Sequence, residues 1–261
     1  MKIKYFQTIA MWFFSMAIFT NSYSQSGKRD LYEIKIYHIE NTNQEKMLDQ
    51  YLQNAFIPAA HRAGVKDIGV FKPLASEEDA GKKVYVFLPF SNSKAYFDFQ
   101  GKLDKDQAYQ RDGKDYIYAA HNQPPYKRIE TVLLQAFTGS PRYKTPDLQA
   151  EKEGRVYELR SYEAATERLY RQKVKMFNSG EIDIFDKLKF NPVFYAETLA
   201  GANTPNLMYM TTFENIEERN KHWDAFRVDP DWEAMKDLEE YKNTVSKNDT
   251  RLLYPTSYSD F

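Results

Sequence analysis

Two stretches of this sequence carry an acid, a base and a tyrosine at alternate positions. These residues are Glu33, Lys35 and Tyr37 in the first stretch and Glu158, Arg160 and Tyr162 in the second. On a β-strand, residues two apart project from the same face, about 6.6 to 7 Å from each other. Such a row can bind the polar part of a small ligand, so we take these six as candidate ligand-binding residues. Alternatively, they form internal ion pairs that neutralise a buried polar face.

The other chemistry-bearing residues form no catalytic or metal-binding motif. The chain has no cysteine, which excludes thiol catalysis and disulfides, and its four histidines are too scattered to form a metal site. Glu181, Asp183 and Asp186 make a cluster of acids, but their spacing distributes them around a helix, so we interpret them as a solvent-exposed face. No glycine-rich phosphate loop, nucleophile elbow or zinc motif is present. The sequence therefore predicts neither a metal nor a cofactor.

Apolar residues between the candidate residues predict the elements that carry them. Tyr32, Ile34 and Ile36 alternate with the first row, as Tyr157 and Leu159 do with the second, and a period of two is typical of a strand with unlike faces. We expect the apolar face of each strand to pack under helices. The polar face should then line a partly hydrated interior.

Each of these strands opens one half of a doubled sequence. Hydrophobic periodicity along each half predicts the order β-α-β-β-α-β, which is that of ferredoxin-like units. The predicted units cover residues 30–137 and 154–259, with a linker over residues 138–153. Asparagines near 41 and 92 and the pair Asp229-Pro230 predict helix starts. The predicted fold class is α+β, built from tandem ferredoxin-like repeats.

Composition and the first residues predict an exported protein without a nucleic-acid partner. The net charge of -1 gives no basic surface for nucleic acid, while 20 tyrosines and 18 phenylalanines indicate an aromatic core. Residues 1–24 have the pattern of a secretory signal: Lys2 and Lys4, a short apolar run, then small residues before Gln25. A membrane anchor is the alternative, but the apolar run is short for a span. We expect a periplasmic or secreted protein with no membrane span after cleavage.

The second half resembles the NIPSNAP family in three segments. These are Val156–Tyr162; then Phe213, Glu218, Arg219, Trp223, Phe226, Asp229, Pro230 and Trp232; and finally Leu252, Leu253, Pro255, Thr256 and Ser259. The first half resembles the family only at its opening strand and at Asp104 and Asp106, so we interpret it as a diverged copy. The resemblance implies units of the dimeric α/β-barrel kind, whose two four-stranded sheets face each other, here within one chain. It also implies roles in protein association and trafficking, and it carries no shared catalytic motif onto this sequence.

Facing sheets would bring the six candidate residues towards one shared interior. We therefore expect an exported binding or protein-interaction module with a small-ligand pocket in the barrel interior, and either a small molecule or a protein as partner. The alternative is a cofactor-independent oxygenase or isomerase of the dimeric α/β-barrel type. A proton-transfer group with a perturbed pKa in a substrate-sized cavity would favour the enzyme. An interior filled by tyrosine and phenylalanine would argue against it.

Two smaller questions stay open in the sequence. Trp223, Phe226 and Trp232 either pack a helix onto the sheet or form a surface for a partner. Related barrels can bind haem through a histidine, and His61 is the one histidine considered for that role. The alternative for His61 is an ordinary histidine at a helix end.

Overall fold

Eight antiparallel strands close into a single barrel in the computed structural model, which describes residues 28–261. The predicted signal sequence, residues 1–24, lies outside the described residues. The strands are β1 (Leu31–His38), β2 (Gly69–Pro73), β3 (Lys83–Phe90), β4 (Arg128–Ala136), β5 (Val156–Glu163), β6 (Phe194–Ala200), β7 (Asn206–Phe213) and β8 (Lys247–Pro255). Their order around the barrel is β1-β3-β2-β8-β5-β7-β6-β4. Each half thus contributes four adjacent strands, and the halves are joined where β2 pairs with β8 and β4 with β6.

Helices follow the first and third strands of each half, which confirms the predicted element order. They are α1 (Thr42–Tyr51), α2 (Ile57–Ala63), α3 (Ser93–Lys105), α4 (Gln107–Asp112), α5 (Lys114–Ile117), α6 (Glu167–Met176), α7 (Ile182–Lys187), α8 (Ile216–Arg227) and α9 (Pro230–Lys236). Two short 3₁₀ turns, Lys152–Gly154 and Glu239–Tyr241, precede β5 and β8. Within residues 28–261, no helix is long and apolar enough to cross a lipid bilayer.

The predicted helix starts have the expected capping chemistry. Asn41 accepts hydrogen bonds from the backbone at the start of α1, and Asn92 does so at α3. Asp229 caps α9, where proline occupies the first turn. Asp106 caps α4 with the same chemistry.

A π-helical segment, which the sequence did not predict, interrupts the long helical region of each half. Leu52–Phe56 joins α1 to α2, and Phe177–Glu181 joins α6 to α7. The two segments begin 125 positions apart. Because a π-segment inserts an extra residue into a helix, it changes which side chains beyond it face the sheet.

Three apolar clusters show that the predicted strand faces are reversed. One cluster takes residues from strands of both halves and none from a helix, so it fills the barrel; it includes Tyr32, Ile34 and Tyr157. The other two lie between a sheet and its helices, and they contain Tyr37 in the first half and, at the edge, Tyr162 in the second. The apolar faces of β1 and β5 therefore face the barrel interior. The acid, base and tyrosine rows lie beneath the helices.

Aromatic side chains occupy the barrel interior, where a ligand pocket was expected. Phe87 and Phe194 stack at 5.1 Å between ring centroids, and Tyr32 packs against both. Phe261 adds its ring 5.8 Å from that of Phe87, and Phe71 lies 4.8 Å from Tyr157. The prediction of a shared interior pocket formed by the six candidate residues is therefore wrong. The six candidate residues lie instead between a sheet and its helices.

Candidate functional site

Glu158 on β5 is the centre of a charged network beneath the helices of the second half. Its side chain is fully buried and accepts hydrogen bonds from Arg160 Nε at 2.7 Å and from Trp223 Nε1 at 2.7 Å. Arg219 on α8 adds two more, from Nε at 2.9 Å and Nη2 at 2.8 Å. Burial acts to raise the pKa of Glu158, but the hydrogen bonds and charges of Arg219 and Arg160 outweigh it and hold the pKa below the ordinary glutamate value. Glu158 is therefore an ionised anchor for two arginines.

Arg160 is held in one orientation by contacts on three sides. Its guanidinium lies 3.8 Å from the centre of the Trp223 ring, a cation–π contact. Its Nη1 donates to the Tyr162 hydroxyl at 3.1 Å, and that hydroxyl is 2.7 Å from the hydroxyl of Tyr209. Burial opposes the charge on Arg160, but the neighbouring Tyr209, Tyr162 and Glu158 raise its pKa. The predicted row Glu158, Arg160 and Tyr162 is thus a real contact network.

A second buried ion pair joins the helices of the same half. Lys173 Nζ on α6 lies 2.7 Å from Glu181 Oε2, and the two side chains are 6% and 3% exposed. The ammonium group also lies 4.8 Å from the ring centre of Phe177 and 5.6 Å from that of Trp232. Burial raises the pKa of Glu181, opposed by the charges of Lys173 and Arg160. Our interpretation of Glu181 as a solvent-exposed acid is therefore wrong.

These groups surround a cavity of about 390 Å³. Its lining includes Arg160, Lys173, Glu181, Arg219, Trp223 and Trp232. With Glu158 behind the wall, the two ion-pair networks hold three cations and two carboxylates, so they carry one excess positive charge when all five are ionised. Arg227 also lines the cavity, and its charge is balanced by Asp224. A polar, cationic cavity with aromatic walls has the features of a site for a small organic anion.

The corresponding row of the first half lies beneath its own helices and is far simpler. Lys35 Nζ is 3.7 Å from Glu33 Oε1, and it lies 5.7 Å from the ring centre of Phe56. Tyr37 accepts a hydrogen bond from the Tyr116 hydroxyl at 3.4 Å. Burial raises the pKa of Glu33, with Lys35 only partly opposing it. The structure therefore separates the six candidates into two groups of three, and only the second group belongs to a charged cavity.

The two halves differ at positions that build the second network. Lys173 and Glu181 stand 125 positions after Leu48 and Phe56, both of which are buried apolar residues. Arg219 is the fourth residue after the cap of α8, and Tyr96 is the fourth after the cap of α3. The first half thus fills the same places with apolar and aromatic side chains.

Sequence reasoning missed Lys173, Glu181 and Arg219 as parts of one site. A signal was available, because Lys173, Phe177, Glu181 and Phe185 recur every four residues and so lie on the buried stripe of the helical region. Arg219 had been noted within the family resemblance, but nothing in the sequence paired it with Glu158. The packing interpretation of the tryptophan segment is confirmed for Trp223, which is 6% exposed.

His61 has a local partner in the structure. Its Nε2 lies 2.9 Å from Asp260 Oδ2, and the same carboxylate oxygen accepts the backbone N–H of Ile68 at 2.7 Å. The histidine side chain is 40% exposed, near the end of α2. His61 lies outside the barrel core, in the last turn of α2, as an ordinary histidine at a helix end would.

The fold and the site define a class: an eight-stranded antiparallel barrel within one chain, flanked by helices, with a charged cavity under one helical layer. Within it, residues 157–260 match the NIPSNAP family. The second half is therefore a NIPSNAP domain, as the resemblance predicted. The charged network of Glu158, Arg160 and Arg219 lies inside the matched region. The sequence matches no curated protein at a significant level.

Two solved structures share the fold over most of the chain. A protein from Lactobacillus acidophilus, provisionally named a monooxygenase, is 14% identical and covers 87% of this chain and 94% of its own, with a TM-score of 0.56. A similarly named protein from Fusobacterium nucleatum is 8% identical and covers 88% of this chain and 93% of its own, with a TM-score of 0.56. A NIPSNAP-like domain protein from Burkholderia xenovorans is 18% identical over 40% of this chain and 88% of its own, with a TM-score of 0.37. At identities this low, the first two structures show similarity of fold alone.

Proposed function

We propose that the protein binds a small organic anion in the cavity of its NIPSNAP domain. One observation carries this proposal: buried Lys173 and half-buried Arg160 and Arg219 line a cavity of about 390 Å³, and the two carboxylates paired with them, Glu181 and Glu158, leave one positive charge for a ligand to neutralise. Trp223, Trp232 and Phe226 supply flat apolar walls. A compound with one aromatic ring and one carboxylate matches this combination. A protein partner stays a prediction from the family resemblance.

Arg160→Met is expected to weaken binding of phenylacetate at least tenfold, because it removes the guanidinium that lines the cavity and keeps a chain of similar length. Glu158 retains Arg219 and Trp223 as donors, so the free energy of unfolding should fall by no more than about 2 kcal/mol. Calorimetric titration and a thermal melt measure the two effects. Lys35→Met is the matched control in the first half and should leave binding unchanged. Equal binding by wild type and Arg160→Met would contradict the proposed site.

We also propose that the two halves are tandem ferredoxin-like copies. Several features at corresponding positions support this proposal. The π-segments begin 125 positions apart, and Asn92 and Asn215 cap equivalent helices. The capping aspartates both pair with a base from the preceding helical region, Asp106 with Arg62 and Asp229 with Lys187. On this proposal the first half kept the fold and lost the charged cavity.

Export remains part of the proposed function. It is supported by the signal-like pattern of residues 1–24. Expression of the full chain in a bacterial host should yield a mature N-terminus near Gln25, read by mass spectrometry of the periplasmic fraction. Recovery of the uncleaved chain in the cytoplasm would contradict export.

A cofactor-independent oxygenase or isomerase is the second candidate function. A specific observation favours it: Glu181 is a buried acid with a raised pKa that lines a cavity large enough for a substrate. Two proteins with the same fold are provisionally named monooxygenases. The filled barrel interior argues against an active site there, so this candidate requires the same cavity as the binding function.

A further inference from the structure

The ion pair between Lys173 and Glu181 is not required by the fold. The first half has the same helical region with its π-segment, and it places Leu48 and Phe56 at the corresponding positions. Both apolar residues are buried at 2% exposure or less. Because a buried ion pair usually stabilises a protein no more than apolar residues of similar volume, stability alone does not account for the pair. Its position in the cavity wall suggests a role in chemistry.

Glu181 is bound to Lys173 and lines the cavity. Its Oε2 accepts a hydrogen bond from Lys173 Nζ at 2.7 Å, and its side chain is part of the cavity wall. Burial raises the pKa of this carboxyl, so the ionised form is a stronger base than an ordinary glutamate. The guanidinium of Arg160 is close enough for its charge to act on Glu181. A base and a cation thus share one wall of the cavity.

We propose that Glu181 removes a proton from a carbon next to the carbonyl group of a bound aromatic 2-keto acid. This inference rests on the proposed anion site. The C–H bond of the ligand breaks, its proton passes to Glu181, and the bonding electrons move into the carbonyl group to give an enolate. Arg160 and Lys173 stabilise the negative oxygen. Return of the proton to carbon or oxygen completes an exchange or a keto–enol isomerisation, and no other reactant is consumed.

The chemistry of the cavity selects this class of ligand. A carboxylate base can remove a proton from carbon when a neighbouring group such as a ketone carbonyl activates the C–H bond, which favours a keto compound over a simple acid. The excess positive charge favours an anion, and Arg219 and Arg160 supply fork-shaped donors for a carboxylate. Trp232 and Phe226, 4.5 Å apart between ring centroids, form an apolar wall for one aromatic ring.

Phenylpyruvate in D₂O tests the proposal, because loss of its methylene proton signal in the NMR spectrum reports proton removal. We expect the wild-type protein to accelerate this loss at least about 100-fold over buffer, a typical contribution of a positioned base. Glu181→Gln should remove at least about 100-fold of the acceleration while changing the dissociation constant, measured by calorimetry, by less than about threefold. Lys35→Met should exchange at the wild-type rate.

A double variant distinguishes loss of exchange from loss of the folded structure. Lys173→Leu with Glu181→Phe copies the first half and should keep or raise the melting temperature while losing exchange. Binding of phenylpyruvate without accelerated exchange in the wild type would overturn this inference and leave the proposed anion site standing. No binding would overturn both. Exchange at the wild-type rate in folded Glu181→Gln would overturn the role of Glu181.

Discussion

Replacing Glu158 with glutamine lowers the free energy of unfolding by about 3–5 kcal/mol in our expectation, because the change removes the charge that compensates two arginines. Glu158 is fully buried and accepts hydrogen bonds from Arg160, Arg219 and Trp223. A neutral amide keeps the size of the side chain and leaves both guanidinium groups beneath the helices without their anion. Urea denaturation measures the loss. It should be among the largest of any single isosteric change in the chain.

Glu33→Gln is the matched control, since Glu33 occupies the same place in the first half. It pairs only with Lys35, at 3.7 Å, and burial raises its pKa. Neutralising Glu33 should therefore change stability by less than about 1 kcal/mol. An equal loss in both variants would contradict the special role of the Glu158 network.

The two glutamates also differ in the sign of their pH dependence. The pKa of Glu158 is lowered on folding, so its contribution to stability is present above the ordinary glutamate value and is lost as the pH falls through the lower folded value. The pKa of Glu33 is raised, so its contribution becomes more favourable as the pH falls towards the ordinary value. Glu158→Gln should accordingly lose part of the acid sensitivity of the wild type.

Phe261→Ala is expected to lower the free energy of unfolding by about 3–5 kcal/mol, the usual cost of removing a buried aromatic ring. Phe261 is 2% exposed and belongs to the barrel core. Its ring lies 6.0 Å from that of Phe71 and 6.4 Å from that of Tyr143, and these neighbours can fill the resulting cavity only in part. Thermal and urea denaturation both report the change.

Phe97→Ala provides the comparison for Phe261, because Phe97 on α3 is 75% exposed. Its loss should alter stability by no more than about 0.5 kcal/mol. If Phe261→Ala proves equally mild, the Phe261 ring does not pack in the barrel as described.

The sequence was sufficient for the order of the elements, because the signals that set it are local. Asn41, Asn92 and Asp229 are caps whose chemistry acts within three residues. Gly64 ends α2 in a left-handed conformation, which glycine adopts without strain. The doubling of the opening strand then indicated two sheets, and the family resemblance indicated that they face each other.

The sequence did not predict which face of each strand points into the barrel. A period of two shows that β1 and β5 have unlike faces, but it does not say which face meets the other sheet. Which face is buried under the helices depends on partners far along the chain. Arg219 and Trp223 follow Glu158 by more than 60 positions, and their hydrogen bonds offset the cost of burying its carboxylate. Tyrosine and phenylalanine from both sheets fill the barrel instead.

Lys173 and Glu181 escaped prediction for a related reason. Charged residues on a helix usually indicate its solvent face, and the nearby Asp183 and Asp186 supported that interpretation. The spacing of Lys173 and Glu181 from Phe177 and Phe185 was a sequence signal for the buried stripe, but their charge outweighed it in the interpretation. In the structure the π-segment Phe177–Glu181 lies at this point, and Glu181 is buried.

Because β2 pairs with β8 and β4 pairs with β6, neither half can close a barrel by itself. A half standing alone would expose two unpaired strand edges and the wide apolar face that now lines the barrel. Such edges and faces are templates for self-association. A separate half would therefore need a second molecule to cover it, and joining both in one chain replaces that encounter with an intramolecular one. The linkage also lets one half carry a costly charged site while the other keeps the shared barrel intact.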